Sequence, residues 1–175
     1  MSVSTHLTPE PERRLWLILE SMSRSVEWTD QKTAALTVFA LAELVFANIL
    51  TTPGPFRLLS QVSLSAALPL GVFAFSPLSG GPRWFAFLEP HRGRPSIDDC
   101  LITADDLAKY SHGELIGRLE KYLGGGITST QYYEDIIGQI VIRARLATRK
   151  QRLFRIACVL VGLGQAGLLA QILGR

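Results

Sequence analysis

The residue types in this chain that could do chemistry are few, and their spacing argues against catalysis. His112 and Glu114 stand as in the opening of a zinc deaminase site, but that site also needs a Pro-Cys-x-x-Cys run. The two cysteines, Cys100 and Cys158, lie far apart in sequence and read as unpaired packing residues. Gly124-Gly125-Gly126 lacks the Gly-Lys-Ser/Thr of a phosphate loop and is better explained as a helix terminator. His91 lies next to Pro90 and His6 three residues before Pro9, and neither suggests a site. No catalytic residue, metal site or cofactor is expected, and the chain is not read as an enzyme.

Charged and polar side chains in unusual places remain. A phosphate-bearing ligand needs cationic or backbone donors and a pocket for its base. Asp30 and Lys32 on one stretch, and Arg149 and Lys150 in the run Arg149-Lys150-Gln151-Arg152 on another, are the candidates for ligand binding or coupling. Each has a plainer reading. Asp30 can cap a helix while Lys32 snorkels to lipid headgroups, and the basic run can serve as a topology determinant. Glu43 is the most informative residue, because it lies inside an apolar run where an acid is expensive and faces a helix interface or a water-filled path. Its alternative is a protonated acid hydrogen-bonded to a neighbouring helix, with Asn48 and Gln165 as further polar interface residues.

The elements that must carry these residues follow from the distribution of apolar side chains. The 175-residue chain is 47% hydrophobic and 19% charged, with mean hydropathy +0.22. Its apolar residues concentrate in Thr33 to Phe75 and Leu153 to Leu173 instead of recurring at the spacing of a water-facing core. That segregation points to lipid. Thr33 to Leu50 is just long enough to span, with about 4 kcal/mol favouring insertion against about 3 kcal/mol for its one acid. The turn Thr51-Thr52-Pro53-Gly54-Pro55 ends it, and Phe56 to Phe75 returns through the bilayer with Pro69 and Gly71 as a kink. The net charge of +3 and pI near 9.1 reflect basic residues flanking the apolar runs, so no nucleic-acid partner is expected.

Elsewhere, Thr8-Pro9-Glu10-Pro11-Glu12 reads as a helix start, leading into an amphipathic helix with Leu15, Trp16, Leu19 and Val26 on its apolar stripe. The N-terminus lacks the pattern of a signal peptide, so the first span should be retained. Trp84 to Leu88 reads as an interfacial aromatic anchor, with a short strand as the alternative. Ser111-His112-Gly113-Glu114 fits a capping box, with Leu115, Leu119 and Leu123 on one face of the helix that follows. From about Thr130, Tyr133, Ile136, Ile137, Ile140, Ala144 and Ala147 fall at three- and four-residue steps. This helix can run unbroken into the last span, reaching roughly 65 Å and connecting cytoplasmic events to the membrane.

The expected fold is an all-α membrane protein. A two-helix transmembrane hairpin is followed by a small helical cytoplasmic domain and a third C-terminal transmembrane helix continuous with a cytoplasmic stalk. The expected boundaries are 1–32 for the amphipathic helix, 33–50 and 56–75 for the first spans, 77–152 for the domain and 153–173 for the last span. Lysine and arginine placement puts the N-terminus and the 77–152 domain in the cytoplasm, and 51–55 and 174–175 outside.

Three stretches carry a family resemblance. Thr29-Asp30-Gln31-Lys32-Thr33-Ala34-Ala35 resembles the opening motif of the transmembrane effectors of Pycsar, a bacterial anti-phage defence system based on pyrimidine cyclic nucleotides. Cys100 to Lys109 with Ser111 to Leu119 is similar to the middle segment of that family, and Tyr132 to Gly162 to its basic helix entering the last span. Each motif alone is degenerate, and the specificity lies in their order around the apolar segments. Here the central segment is interrupted by the Pro-Gly-rich stretch Pro77 to Pro95. The resemblance implies an inner-membrane effector activated by cyclic CMP or cyclic UMP from a partner pyrimidine nucleotide cyclase, acting on the bilayer as a homo-oligomer to cause abortive infection. The alternatives from the residues alone are a membrane anchor or scaffold for a soluble partner, and a small transporter or channel subunit.

Overall fold

The computed structural model describes residues 11–50, 53–75, 95–96, 98–123 and 131–173. Five helices follow in order: α1 (Pro11–Leu50), α2 (Pro55–Phe75), α3 (Ala104–Leu107), α4 (His112–Leu123) and α5 (Gln131–Leu173). Of the described residues ~89% are helical and none forms a strand. Three helices, α1, α2 and α5, are long and apolar enough to cross a membrane. The expectation of an all-α membrane protein therefore holds, as does the continuity of the last span with the helix before it, because Gln131–Leu173 is one helix.

The Thr8 and Pro9 helix start, residues 77–94 with the aromatic segment Trp84 to Leu88, Gly124-Gly125-Gly126 and Gly174-Arg175 lie outside the described residues. So do His6, His91 and the side chain of Leu123.

The chain divides into two compact units, one of residues 1–27 and 83–149, the other of 28–82 and 150–175. The first has a water-type core. Leu15, Leu19 and Met22 of α1 pack with Leu107, Leu115 and Leu119, and with Ile136, Ile137, Ile140 and Ala144 of α5, at exposures of 8% or less. These positions recur at three- and four-residue steps, which keep them on one side of each helix. Trp16 departs from its expected stripe and is 48% exposed, with Met22 serving the core from the next turns. The capping box forms as expected: Ser111 N–H donates to Glu114 Oε2 at 2.8 Å, and Glu114 N–H reaches Ser111 Oγ at 3.4 Å. Two donors that α4 would leave unsatisfied are thereby paired.

The second unit inverts this polarity. Val38, Phe46, Val62, Val72, Val159 and Leu169 are each 59% exposed or more, while Thr33, Ser60, Ser63, Ala67 and Ala74 are buried. Beside Leu64, Leu153 and Val161, which are also buried, an interior rich in small and hydroxyl-bearing residues with large apolar ones outside is the pattern of helices packed in lipid, where close backbone approach counts for more than hydrophobic burial. The hydroxyls are satisfied locally: Thr33 donates to the Thr29 carbonyl at 2.8 Å and Ser60 to that of Phe56 at 2.9 Å.

Contacts fix the order of the bundle as up, down, up. α1 and α2 are antiparallel, since Asn48 Oδ1 accepts from Gln61 Nε2 at 2.6 Å while Gly71 lies against Thr37. α2 and α5 are antiparallel too, with Gly164 against Leu64, Gly167 against Ser60, and Gly54 against Gln171. α1 and α5 are therefore parallel. Helix α2 continues through Pro69, the position expected to kink.

Candidate functional site

Helices α1 and α5 meet through two polar pairs in the second unit, and these contain four of the six residues singled out from the sequence. Lys150 Nζ donates to Asp30 Oδ1 at 2.6 Å and to Oδ2 at 2.7 Å, bonding both carboxylate oxygens. The Lys150 side chain is 8% exposed and that of Asp30 30%. About four turns further along, Gln165 Nε2 donates to Glu43 Oε1 at 2.9 Å. The pairs are separated in sequence by 120 and 122 residues, so the two helices keep nearly constant register between them.

Asp30 is interior to α1, which runs from Pro11 to Leu50, so it caps no helix. The capping reading fails because only a helix end leaves backbone N–H groups unpaired. Its carboxylate is spent on Lys150.

Lys32 does not join this pair. Two residues along an α-helix turn the side chain by roughly 200°, which puts Asp30 and Lys32 on opposite faces. The Lys32 ammonium stands over the Trp28 ring, 5.4 Å from its centroid. Arg149, adjacent to Lys150 in sequence, is half-buried and engaged in interactions of its own. The four proposed ligand or coupling residues thus resolve into one interior ion pair, one outward cation on an indole, and an arginine assigned to the first unit.

Glu43 sits differently from an ordinary paired acid. Its Oε1 accepts from Gln165, while its Oε2 is buried without a hydrogen-bond partner. An orphaned buried oxygen costs about 1–3 kcal/mol relative to a satisfied one. Asn48, expected at a helix interface, bridges α1 to α2 through Gln61 and also lies 3.3 Å from the Arg57 guanidinium.

The first unit holds a polar network that spacing alone does not reveal. Lys109 Nζ lies 2.9 Å from Asp99 Oδ1 and 2.6 Å from Asp106 Oδ1. Tyr110, 2% exposed, brings its hydroxyl to 3.0 Å from Asp99 Oδ2 and 3.1 Å from the Ser96 carbonyl. Asp99 also accepts from Ser96 N–H at 2.7 Å, Thr103 donates to Asp106 at 2.8 Å, and Arg145 donates to the Tyr110 carbonyl at 3.0 Å.

The backbone N–H of Ser96 and then the Lys109 ammonium hold the Asp99 carboxyl at about 2, well below the usual carboxylate range. The Lys109 ammonium is shifted the other way by Asp106 and Asp99, so it stays charged. Burial and the Asp99 carboxylate push the Tyr110 phenol up and keep it neutral. Each charged group in this cluster has a hydrogen-bond partner within it, which suits a clamp on the loop between residues 95 and 111 better than a ligand cradle. Its one sequence signal is the run Cys100 to Lys109, in which Asp106 of the short helix α3 stands three residues before Lys109 and pairs with it.

No curated protein and no solved structure matches the chain. A family model, PycTM, described as the Pycsar effector protein domain, matches residues 14–174, nearly the whole length. The match includes the apolar helices, both polar pairs and the 95–111 network. The chain belongs to the Pycsar effector family and is a membrane protein of anti-phage defence.

Proposed function

We propose that this effector lies in the bacterial inner membrane as a homo-oligomer and responds to cyclic UMP or cyclic CMP made by a partner pyrimidine nucleotide cyclase. Its response impairs the membrane and ends growth of the infected cell. The N-terminus and the 77–152 segment face the cytoplasm, where the nucleotide is produced. Family membership supports the link to a cyclase. The observation that carries the membrane action is Glu43, an acid in the apolar bundle with one oxygen paired to Gln165 and the other paired to nothing.

A bundle that retains an unsatisfied carboxylate oxygen holds free energy that a different packing can recover. Repacking α5 against α1 would expose or re-pair Glu43, and Asp30 with Lys150 is the contact that such a movement strains at the other end. Moving a population from about 1% to about 99% active takes roughly 5.5 kcal/mol of differential binding. One phosphate contact does not supply that, which is why several contacts or several subunits are required.

The test is expression of the effector with and without a pyrimidine cyclase, following membrane potential and dye entry, for the wild type and Glu43→Gln. The wild type should compromise the membrane only with the cyclase, and Glu43→Gln should insert normally while altering killing or assembly. Killing that ignores the cyclase would overturn the nucleotide response. A substitution that leaves oligomer state and protection unchanged would show that Glu43 is merely tolerated.

A further inference from the structure

The outside of the second unit carries two stripes that share one design. On α1, Trp28, Lys32, Ala35, Phe39, Ala42 and Phe46 succeed one another at steps of four and three, and all are exposed. On α5, Arg155, Val159, Gly162, Ala166 and Leu169 do the same. Steps of four and three return a helix to nearly the same face, so each series is a continuous outward strip. Each carries a cation near its head, after which α1 alternates Ala35 and Ala42 with Phe39 and Phe46, and α5 sets Gly162 and Ala166 between Val159 and Leu169. Because α1 and α5 run parallel, held by Asp30 with Lys150 and Glu43 with Gln165, the two cations stand at the same end of the bundle.

Among the described residues these cations, Lys32 and Arg155, have no acidic partner of the kind that Lys150 and Lys109 have. Lys32 instead rests on Trp28, which is itself 61% exposed. An exposed indole beside an ammonium at the head of an apolar strip suits the headgroup level of a bilayer. A second copy of the chain fits less well. Two α1 strips meeting in parallel about a two-fold axis would set Lys32 against Lys32, a like-charge contact with no acid on the strip to relieve it.

We propose that Trp28, Lys32 and Arg155 form a docking surface for the anionic headgroups of phospholipids, whose acyl chains lie along the two strips. The small residues Ala35, Ala42, Gly162 and Ala166 form notches between the larger ones, and a Cβ added at Gly162 meets nothing within 4 Å. Lys32 is then a lipid contact and not a nucleotide contact. This inference rests on the membrane location and not on the proposed response to a nucleotide.

The full-length protein in nanodiscs of phosphatidylcholine with phosphatidylglycerol provides the test, with bound lipid read by native mass spectrometry. A juxtamembrane cation contributes about fivefold to binding at an anionic surface. The wild type should retain phosphatidylglycerol over phosphatidylcholine, each of Lys32→Gln and Arg155→Gln should lower that preference about fivefold, and Lys32→Arg should keep it. Added salt should weaken it, and Lys121→Gln, at an exposed position of α4 in the first unit, should not change it. Should the double variant fail to insert, the two single variants carry the test.

Retention unchanged in both single variants would overturn the proposal, as would an equal loss in Lys121→Gln. A change in oligomer size with no change in bound lipid would assign the strip to a second copy. Displacement of the lipid from the wild type by free cyclic UMP would assign the cations to the nucleotide.

Discussion

Lys150 gives two hydrogen bonds to the single carboxylate of Asp30, at 2.6 and 2.7 Å, and so joins α5 to α1 where their apolar stretches begin. Neither residue is available to a phosphate unless this pair opens. An anion that took Lys150 would release Asp30, and the packing of two spans would then depend on which partner the lysine holds.

Asp30→Asn should therefore destabilise the protein in detergent. Charged hydrogen bonds contribute about 1.5–3 kcal/mol, and the lower end applies because Asp30 is partly exposed. Lys150→Met should cost less than Asp30→Asn, because it leaves no buried ammonium unpaired. Thermal unfolding of both variants and their combination gives the coupling, and strictly additive losses would mean that the pair contributes nothing to the packing.

Gly71 allows α2 to approach α1. A Cβ there would overlap Thr37 Oγ1 and come within 3.2 Å of Thr37 Cβ. Gly71→Ala should cost about 1–3 kcal/mol from overpacking, and Thr37→Ala in the same chain should recover part of it by removing the hydroxyl and methyl. Gly162→Ala, which meets open space, is the control and should be close to neutral. Equal losses for Gly71→Ala and Gly162→Ala would show that backbone freedom matters here and not the close approach.

The 95–111 clamp predicts an acid limit. Asp99, with its pKa depressed to about 2 in the folded protein, contributes stability that is fully present above its unfolded value of about 3.9. That contribution is lost as pH falls from about 4 through about 2. Hydrogen exchange of the first unit should show protection declining in this window, and Asp99→Asn should lower protection at neutral pH while flattening the acid dependence. A variant with unchanged protection at neutral pH would remove Asp99 from the clamp.

Topology is open to direct measurement once exposed Cys100 and half-buried Cys158 are replaced. A cysteine placed at Thr52 should react with an impermeant reagent in intact cells, whereas one at Lys121 should not. Reaction at Lys121 would invert the proposed orientation.

How much of this was legible before the fold depended on the range of the interaction concerned. The all-α class, the three long apolar helices, the Ser111 to Glu114 capping box and the buried series Ile136, Ile137, Ile140, Ala144 and Ala147 depend on local spacing, and a sequence states local spacing directly. The expense of Glu43 was also visible, because an acid within an apolar run is costly whatever it faces. Tertiary structure decided the partners. Asp30 and Lys150 are 120 residues apart, and two residues in sequence separate Asp30 from Lys32 by opposite faces of one helix, so only the packing of α5 on α1 shows which of the two is spent. The same holds for Lys109, whose two carboxylates reach it through the fold of a loop, and for Gly71, whose significance is a distance to Thr37 across a helix pair. Periodicity gives the face of a helix, and only a neighbouring element determines what that face meets.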